Sequence, residues 1–318
     1  MDGTIIDIKR FTLHDGPGLR STVFLKGCGL HCAWCHNPEG IENSLSLWYL
    51  PRQCIHCHSC LAACPLDALS VDGNADADGG DRAAGGDGLS IVINRQRCDN
   101  CGLCAEACPT NALSFDGQRL SSAAVVEVLL RDRQFYAESG GGITISGGDP
   151  LVQHDFTREI LAQCKAAGVH TAIETGLHGS WELIEGFLPL TDLFIVDLKI
   201  SDPELHREYT GGDNALIREN YRRLAALGLE LLTRIPLIPR VTATVENILA
   251  IATFVRACRA GAQVELLNFN PLAENKYLLM GRDRDFFRNM APLDAGELAG
   301  FRAIIEAEGL VETGEHRL

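Results

Sequence analysis

Two stretches of this chain repeat one another: "CIHCHSCLAACP" at 54–65 and "CDNCGLCAEACP" at 98–109. Each follows CxxCxxCxxxCP. The first copy supplies Cys54, Cys57, Cys60, Cys64 and Pro65; the second supplies Cys98, Cys101, Cys104, Cys108 and Pro109. The likeness runs past the proline, as "LDALSV" and "TNALSF", so this is an internal duplication of one small unit. No other feature limits the fold so tightly, because a unit this rich in thiols must organise around whatever the thiols hold. Disulfides would suit a short secreted chain. Here the chain has 318 residues and the "MDGTIIDIKRF" start lacks the long apolar run of a leader. Clustered cysteines in a reducing compartment favour metal binding.

The spacing resembles that of the bacterial two-cluster ferredoxins, in which the fourth cysteine of each run ligates the other cluster. The resemblance implies one [4Fe–4S] set of Cys54, Cys57, Cys60 and Cys108, and a second of Cys64, Cys98, Cys101 and Cys104. Zinc is the alternative for these thiols, though zinc sites rarely use a triple CxxC run followed by CP. Between the copies, "DGNADADGGDRAAGGDG" (72–88) has too little apolar content to order itself and is expected to be a flexible acidic loop.

A third group differs. "GCGLHCAWCHNPEG" (27–40) carries Cys28, Cys32 and Cys35 in CxxxCxxC spacing. A tetrahedral zinc site or a fully ligated [4Fe–4S] cluster takes four protein ligands. Three leave one metal position open, and chemistry can happen there. Of thirteen cysteines, only Cys164 and Cys258 fall outside these motifs, and they read as small buried hydrophobes. His14, His31 and His36 read as structural.

Past residue 120, helix-like and strand-like segments alternate. "AAVVEVLLRDRQFY" precedes "GITIS", "DFTREILAQCKAAG" precedes "VHTAIET", and "SWELIEGFLPL" precedes "TDLFIVDLKI". "ALIRENYRRLAALG" then precedes "LELLTRIPLI", and "TVENILAIATFVRACRAG" precedes "QVELLNFNPL". The run predicts a parallel α/β sheet, open or curled into a barrel. Polar residues recur at expected strand ends: Asp149, Glu174, Asp197, Lys199, Arg234 and Asn270. In α/β barrels that end builds the active site. Three segments follow: 1–48 and 117–318 as two parts of one α/β domain, and 49–116 as an insert.

The formal net charge is −14, from 42 acidic against 28 basic residues, which argues against nucleic acid as the main partner. No apolar stretch approaches the roughly 20 residues of a membrane span. A cytoplasmic protein is expected.

The CxxxCxxC motif with Trp34 before its last cysteine resembles the radical S-adenosylmethionine (SAM) superfamily. More narrowly, "HDGPGLRSTVFLKGC" (14–28), "CHNPE" (35–39), "GGITISGGDP" (141–150), "AIET" (172–175), "DLK" (197–199) and "RIPLIP" (234–239) resemble the glycyl-radical-enzyme activating enzymes, collinearly over nearly the whole chain. Some members carry a two-cluster ferredoxin insert after the SAM motif.

That resemblance implies a partial (β/α)6-type barrel with a ferredoxin-like insert, three [4Fe–4S] clusters and SAM. Cys28, Cys32 and Cys35 would hold the cluster whose open iron takes the amino and carboxylate groups of SAM. Trp34, Gly147, Gly148, Asp149, Glu174, Thr175, Asp197, Lys199, Arg234 and Asn270 would surround SAM, with a monovalent cation near its carboxylate in some members. The two glycines are expected there because backbone must approach the ligand closely. Asp15, Gly16 and Arg20 would meet the glycine loop of a partner protein. Members more often have Glu at the position of Asp149, His at that of Asn270, and Gly at that of Arg240. The implied activity is reductive cleavage of SAM and hydrogen abstraction from a backbone glycine of a glycyl radical enzyme, by a monomer reduced by flavodoxin or ferredoxin. Two alternatives are a radical SAM enzyme acting on a small molecule or another peptide, and an iron–sulfur electron-transfer protein.

Overall fold

In the computed structural model, residues 1–72, 90–282, 286 and 290–314 are described; all but the first residue of the 72–88 loop lies outside them. The chain opens with an antiparallel pair, β1 (Asp2–Thr12) and β2 (Arg20–Leu25). It then leaves to build a small unit from β3 (Leu47–Tyr49), α1 (Ser59–Ala63), β4 (Leu69–Asp72), β5 (Ser90–Ile93), α2 (Leu103–Glu106) and β6 (Leu113–Phe115). It returns through β7 (Gln118–Ser121), antiparallel to β1. Next come α3 (Ser122–Leu130), α4 (Arg133–Ser139), β8 (Gly142–Gly147), α5 (His154–Ala166), β9 (His170–Thr175), α6 (Trp181–Glu185) and β10 (Leu193–Asp197). The rest is α7 (Pro203–Thr210), α8 (Asn214–Ala226), β11 (Glu230–Leu237), α9 (Val245–Cys258), β12 (Gln263–Asn268), α10 (Glu274–Leu279), α11 (Ala295–Ala307) and β13 (Val311–Glu312).

Nine strands form one sheet in the order β7-β1-β2-β8-β9-β10-β11-β12-β13. From β2 onward every neighbouring pair is parallel, as helix-then-strand units require. Period-two alternation sorts the side chains. Ile143, Ile145, Ile173, Phe194, Val196, Leu231 and Ile235 go to the main core under the helices. The opposite face carries a separate small apolar cluster, Ala172, Leu193, Ile195 and Leu232. Toward the C-terminal strand ends that same face turns polar. Glu174 lies in register with Ile195, and Arg234 with Asp197 and Glu265.

The sheet curls around this inner face. Asp15 is fixed over β2 and β8, because Thr22 Oγ1 donates to its carboxylate at 2.6 Å and Thr144 Oγ1 to its carbonyl at 2.6 Å. The neighbouring carbonyl, that of His14, accepts from Arg234 on β11. In a flat sheet β8 and β11 stand about 14 Å apart, well beyond the reach of one arginine. With β7 and β13 left as free edges, the result is a partial barrel of six parallel strands plus the two-residue β13.

Two expected helices are shorter than their hydrophobic pattern. The 123–136 stretch divides into α3 and α4 at Asp132, whose buried carboxylate accepts from Arg10 Nε (2.7 Å) and Ser21 Oγ (3.1 Å). The 180–190 stretch stops as α6 before Gly186 and continues as a 3-10 turn, Leu188–Leu190, around Pro189; proline cannot continue a helix.

The small unit packs its own core from Leu47, Tyr49, Cys60, Leu69, Ile91, Cys104, Ala112 and Leu113. It meets the barrel at a buried ion pair. Lys26 Nζ, on the residue after β2, donates to Asp116 Oδ2 at 2.9 Å and to the Glu39 carbonyl. Both side chains of the pair are essentially inaccessible. Asp116 Oδ1 also accepts from the Ser46 backbone N–H at 2.9 Å, and the Asp116 N–H donates to the Ser46 carbonyl at 3.0 Å. One carboxylate thus pins both ends of the insert to the strand that leads into the CxxxCxxC loop.

Candidate functional site

The CxxxCxxC loop crosses the C-terminal end of the sheet. Backbone bonds stitch it down: Gly27 N–H to the Gly40 carbonyl (2.8 Å), Cys28 N–H to Ile41 (2.9 Å), His31 N–H to Thr210 (2.7 Å) and Ala33 N–H to Tyr209 (2.9 Å). The turn after β8 closes on the same loop, with the Asp149 N–H donating to the Gly27 carbonyl at 2.8 Å. This packing explains the two glycines. Gly147 has φ +110°, and a Cβ on Gly148 would lie 2.1 Å from the Gly27 carbonyl oxygen and 2.5 Å from that of Gly40. On their Cβ side both glycines meet the protein's own backbone, Gly147 that of β2 and Gly148 that of the cluster loop.

Burial pushes up the pKa of all three thiols. Cys35 rises to about 12. Cys28 rises further, with Asp149 adding to the effect of burial. For Cys32, burial outweighs the opposing pull of Lys199. Free thiols held this way are poor nucleophiles, whereas a metal takes them as thiolates. The Leu30 N–H already points at Cys28 Sγ, at 3.4 Å. Among the described residues no three Cys, His, Asp or Glu side chains converge on a single-ion site. A lone zinc would need sulfurs about 2.3 Å from one point; thiolates on separate irons of a cluster stand farther apart. The loop's three cysteines would hold a cluster through three protein ligands.

Facing the loop is the polar rim of the inner face. Glu174 accepts from Ser146 Oγ at 2.6 Å and from Arg234. Arg234 Nε donates to Glu265 at 2.6 Å. Burial would raise the carboxyl of Glu174, but Arg234 and the Ser146 hydroxyl hold it below its ordinary range. Burial likewise opposes the charge on Arg234, yet the two glutamates keep it firmly protonated. Lys199 donates to Asp197 at 2.7 Å; against burial, Asp197 and the Cys32 thiol raise its pKa. Three carboxylates, Glu174, Asp197 and Glu265, thus outnumber two cations, Arg234 and Lys199. A nearby excess of negative charge suits a ligand with an ammonium and a sulfonium.

Asp149 and Thr175 lie beside this rim and are bonded to each other. Asp149 accepts from the N–H groups of Leu151 (2.9 Å) and Gly176 (2.9 Å) and from Thr175 Oγ1 (3.0 Å to each oxygen). Its carboxyl is raised by burial despite those donors. Trp34 is buried among Ile200, Ile238, Phe269 and Tyr277, with ring centroids 6.4 Å from Tyr209 and 6.3 Å from Phe286.

Asn270 is exposed, and its Oδ1 caps the next turn by accepting from the Leu272 N–H at 3.0 Å. The "HDGPGLR" segment reaches the inner face through His14 and Asp15, as described above. Arg20 is fully buried, donating to Thr144 Oγ1 at 2.7 Å and to the Pro17 carbonyl at 3.2 Å. It fixes the segment from beneath, and Gly16, also buried, has φ +124° against the Arg20 side chain.

Several participants escaped the sequence reading. Glu265 is the single acid in "QVELLNF", on an inward position that only the register reveals. Lys276 on α10 donates to Asn37 Oδ1 (2.8 Å), Glu39 Oε1 (2.7 Å) and the His36 carbonyl (3.1 Å), while Tyr277 Oη donates to the Cys35 carbonyl at 3.2 Å. Together they clamp the end of the cysteine loop.

In the insert, the cysteines sort crosswise. One hollow is lined by Cys54, Cys57, Cys60 and Cys108 beside Tyr49 and Leu113. The other is lined by Cys64, Cys98, Cys101 and Cys104 beside Leu47 and Asn100. Backbone N–H groups already face sulfur in each, from His56 to Cys54 (3.4 Å) and from Ala68 to Cys64 (3.2 Å).

Comparison with known proteins finds two kinds of domain in the chain. A family model for the radical SAM superfamily matches residues 97–252, and one for a 4Fe-4S dicluster domain matches residues 53–112. The chain is 38% identical to the benzylsuccinate synthase activating enzyme of Thauera aromatica over 313 residues, covering 97% of this chain and 91% of that one. It is 36% identical to the trans-4-hydroxy-L-proline dehydratase activating enzyme of Clostridioides difficile over 280 residues, covering 87% of each. Among solved structures, a domain of a pyruvate-formate lyase-activating enzyme from Bacteroides vulgatus aligns at TM-score 0.47 and 28% identity, over 55% of this chain and 98% of that one.

Proposed function

The chain belongs to the glycyl-radical-enzyme activating enzymes of the radical SAM superfamily, and from that premise we propose that it installs a radical on a backbone glycine of a partner glycyl radical enzyme. The observation that carries the reading is the loop of three half-buried thiols, with no fourth ligand among the described residues, facing a carboxylate-rich rim. When bound, a one-electron-reduced cluster supplies the electron that breaks the sulfonium–C5′ bond of SAM; methionine leaves, and the 5′-deoxyadenosyl radical takes a hydrogen atom from the glycine α-carbon.

This chain's residues do the rest. Cys28, Cys32 and Cys35 hold the cluster. Glu174, Thr175, Asp197 and Lys199 surround the amino-acid end of SAM, with room in that charge balance for a monovalent cation. Arg234, held by Glu174 and Glu265, fixes the His14 carbonyl and so positions the segment that meets the partner's glycine loop. The insert holds two further [4Fe–4S] clusters on the crosswise sets. Flavodoxin or ferredoxin supplies the electron to a cytoplasmic monomer. A three-thiol site leaves an electron-transfer protein without a use for its open position, and the relatives favour the activating enzyme over one acting on a small molecule.

The test is anaerobic. Reconstituted, reduced protein with SAM is mixed with each of a panel of glycyl radical enzymes, and 5′-deoxyadenosine and electron paramagnetic resonance (EPR) spectra are recorded. The expected result is a doublet from a glycyl radical with one panel member and a matching rise in 5′-deoxyadenosine. Absence of SAM cleavage by fully iron-loaded protein would overturn the reading.

A further inference from the structure

The two cysteine sets of the insert are alike in sequence, but they are not alike in position. β3 and β6 run side by side, Leu47 opposite Phe115 at one end and Tyr49 opposite Leu113 at the other. The Leu47 end is the seam, next to Ser46, Asp116 and the buried Lys26. Leu47 lines the hollow of Cys64, Cys98, Cys101 and Cys104, whereas Tyr49 and Leu113 line the other. Phe115, at the seam end, also packs against Gly102 of the second run, whose Cβ would lie 3.1 Å from its ring.

A second bridge leads to the same hollow. Arg95 Nη2 donates to the Leu279 carbonyl at the end of α10 at 3.1 Å, and Nη1 donates to the Leu47 carbonyl at 2.5 Å. On the same helix, Tyr277 holds the Cys35 carbonyl. One route therefore runs from Cys28 through Lys26, Asp116 and Ser46 to Leu47. The other runs from Cys35 through Tyr277, Leu279 and Arg95 to the carbonyl of Leu47, which lines the hollow of Cys98. Among the described residues the hollow of Cys54, Cys57, Cys60 and Cys108 has no such polar tie to the barrel.

We infer that Cys64, Cys98, Cys101 and Cys104 form the inner electron-relay position, next to the CxxxCxxC loop, and that Cys54, Cys57, Cys60 and Cys108 form the outer one. This rests on the three-cluster reading above. One electron, supplied by a low-potential reductant, passes outer to inner to the SAM-binding position. Arg95 is the positioning residue that sets its positive charge between the inner set and the barrel.

The experiment uses the reconstituted holoenzyme with SAM, reduced stepwise under EPR observation. Wild-type protein is expected to show magnetic coupling of the SAM-binding cluster to one insert cluster in preference to the other. Arg95→Met removes a cation, so the midpoint potential of one insert cluster is expected to fall while the other stays, and the shifted cluster is expected to be the coupled one. Arg95→Lys restores the potential. In the paired deletions, Cys54→Ala/Cys57→Ala is expected to leave the coupling and Cys98→Ala/Cys101→Ala to abolish it. A shift confined to the uncoupled cluster, no shift, or the reverse deletion pattern overturns the order. Iron content short of three clusters in the wild type sinks the three-cluster reading instead. Because Arg95→Met keeps every cysteine, its outcome stands even where a deletion variant fails to fold.

Discussion

Substituting Lys26 by methionine removes the cation from a carboxylate whose side chain is only 1% exposed. The Asp116 carboxylate would keep the Ser46 N–H, but a buried ion left without its partner costs about 3–5 kcal/mol. Total stability of a domain is about 5–15 kcal/mol, so the loss is large. Asp116→Leu alone strands the Lys26 ammonium with the Glu39 carbonyl as its remaining acceptor among the bonds described above, at a similar cost, and also leaves the Ser46 N–H unpaired. In the double variant no charge stays buried. Replacing a buried pair by apolar side chains is near-neutral, so the residual cost is that of the Ser46 N–H, about 1–3 kcal/mol. The expected double-mutant cycle is therefore strongly non-additive, with the double variant more stable than either single. Urea unfolding of the anaerobic protein, followed by far-ultraviolet circular dichroism, measures it. Additive losses, or a Lys26→Met cost under about 1 kcal/mol, would refute the claim that this pair is buried and coupled.

Gly148→Ala should cost the protein the iron of its CxxxCxxC loop while sparing that of the insert, read as iron content and EPR, because its Cβ would press on the Gly27 and Gly40 carbonyls at 2.1 and 2.5 Å. Glu265→Gln is expected to lower SAM cleavage by roughly 10–100-fold, the range for losing a partner that orients a functional group, with iron content unchanged; full activity would show that Glu174 alone holds Arg234. The Asp132 carboxyl is depressed chiefly by its bond to Arg10. Its contribution to stability is thus present above the ordinary carboxylate range near pH 4 and is lost as pH falls through the depressed value. Asp132→Asn should flatten that acid limb of a stability–pH curve; an unchanged slope would count against the pairing.

What could be read from residues alone was what depends on local spacing. The CxxCxxCxxxCP duplication is a short-range pattern, and the crosswise grouping of its thiols follows from it together with the ferredoxin resemblance. The alternation of helix and strand was legible for the same reason, since Ile143, Ile145, Phe194 and Val196 advertise buried faces. The recurrence of Glu174, Asp197 and Arg234 at strand ends pointed to a shared rim. Glu265 was illegible because its partner stands on another strand, and only the register of β11 against β12 makes Arg234 its neighbour. Lys26 precedes the first cysteine motif by two residues, yet its partner Asp116 lies across the whole insert. The cap that Asn270 places on the Leu272 N–H was not legible either, because it follows from Phe269 turning inward at the end of β12. The glycines of the β8 turn were foreseen as a site of close approach, and on the Cβ side of Gly148 that approach is to the Gly27 and Gly40 carbonyls.

The knot of hydrogen bonds between Ser46 and Asp116 also changes how the chain closes on itself. Everything between those residues begins and ends at one point, so the barrel meets the insert as a loop whose ends are already joined. The entropy of closing a loop grows only with the logarithm of its length, about 0.6 kcal/mol for each doubling. A long detour there weighs on the barrel scarcely more than a short turn. The insert is in that sense a cassette: shortening it to a tight turn between residues 46 and 116 should leave β1, β2 and β7 paired as they are, and the three-thiol loop in its place.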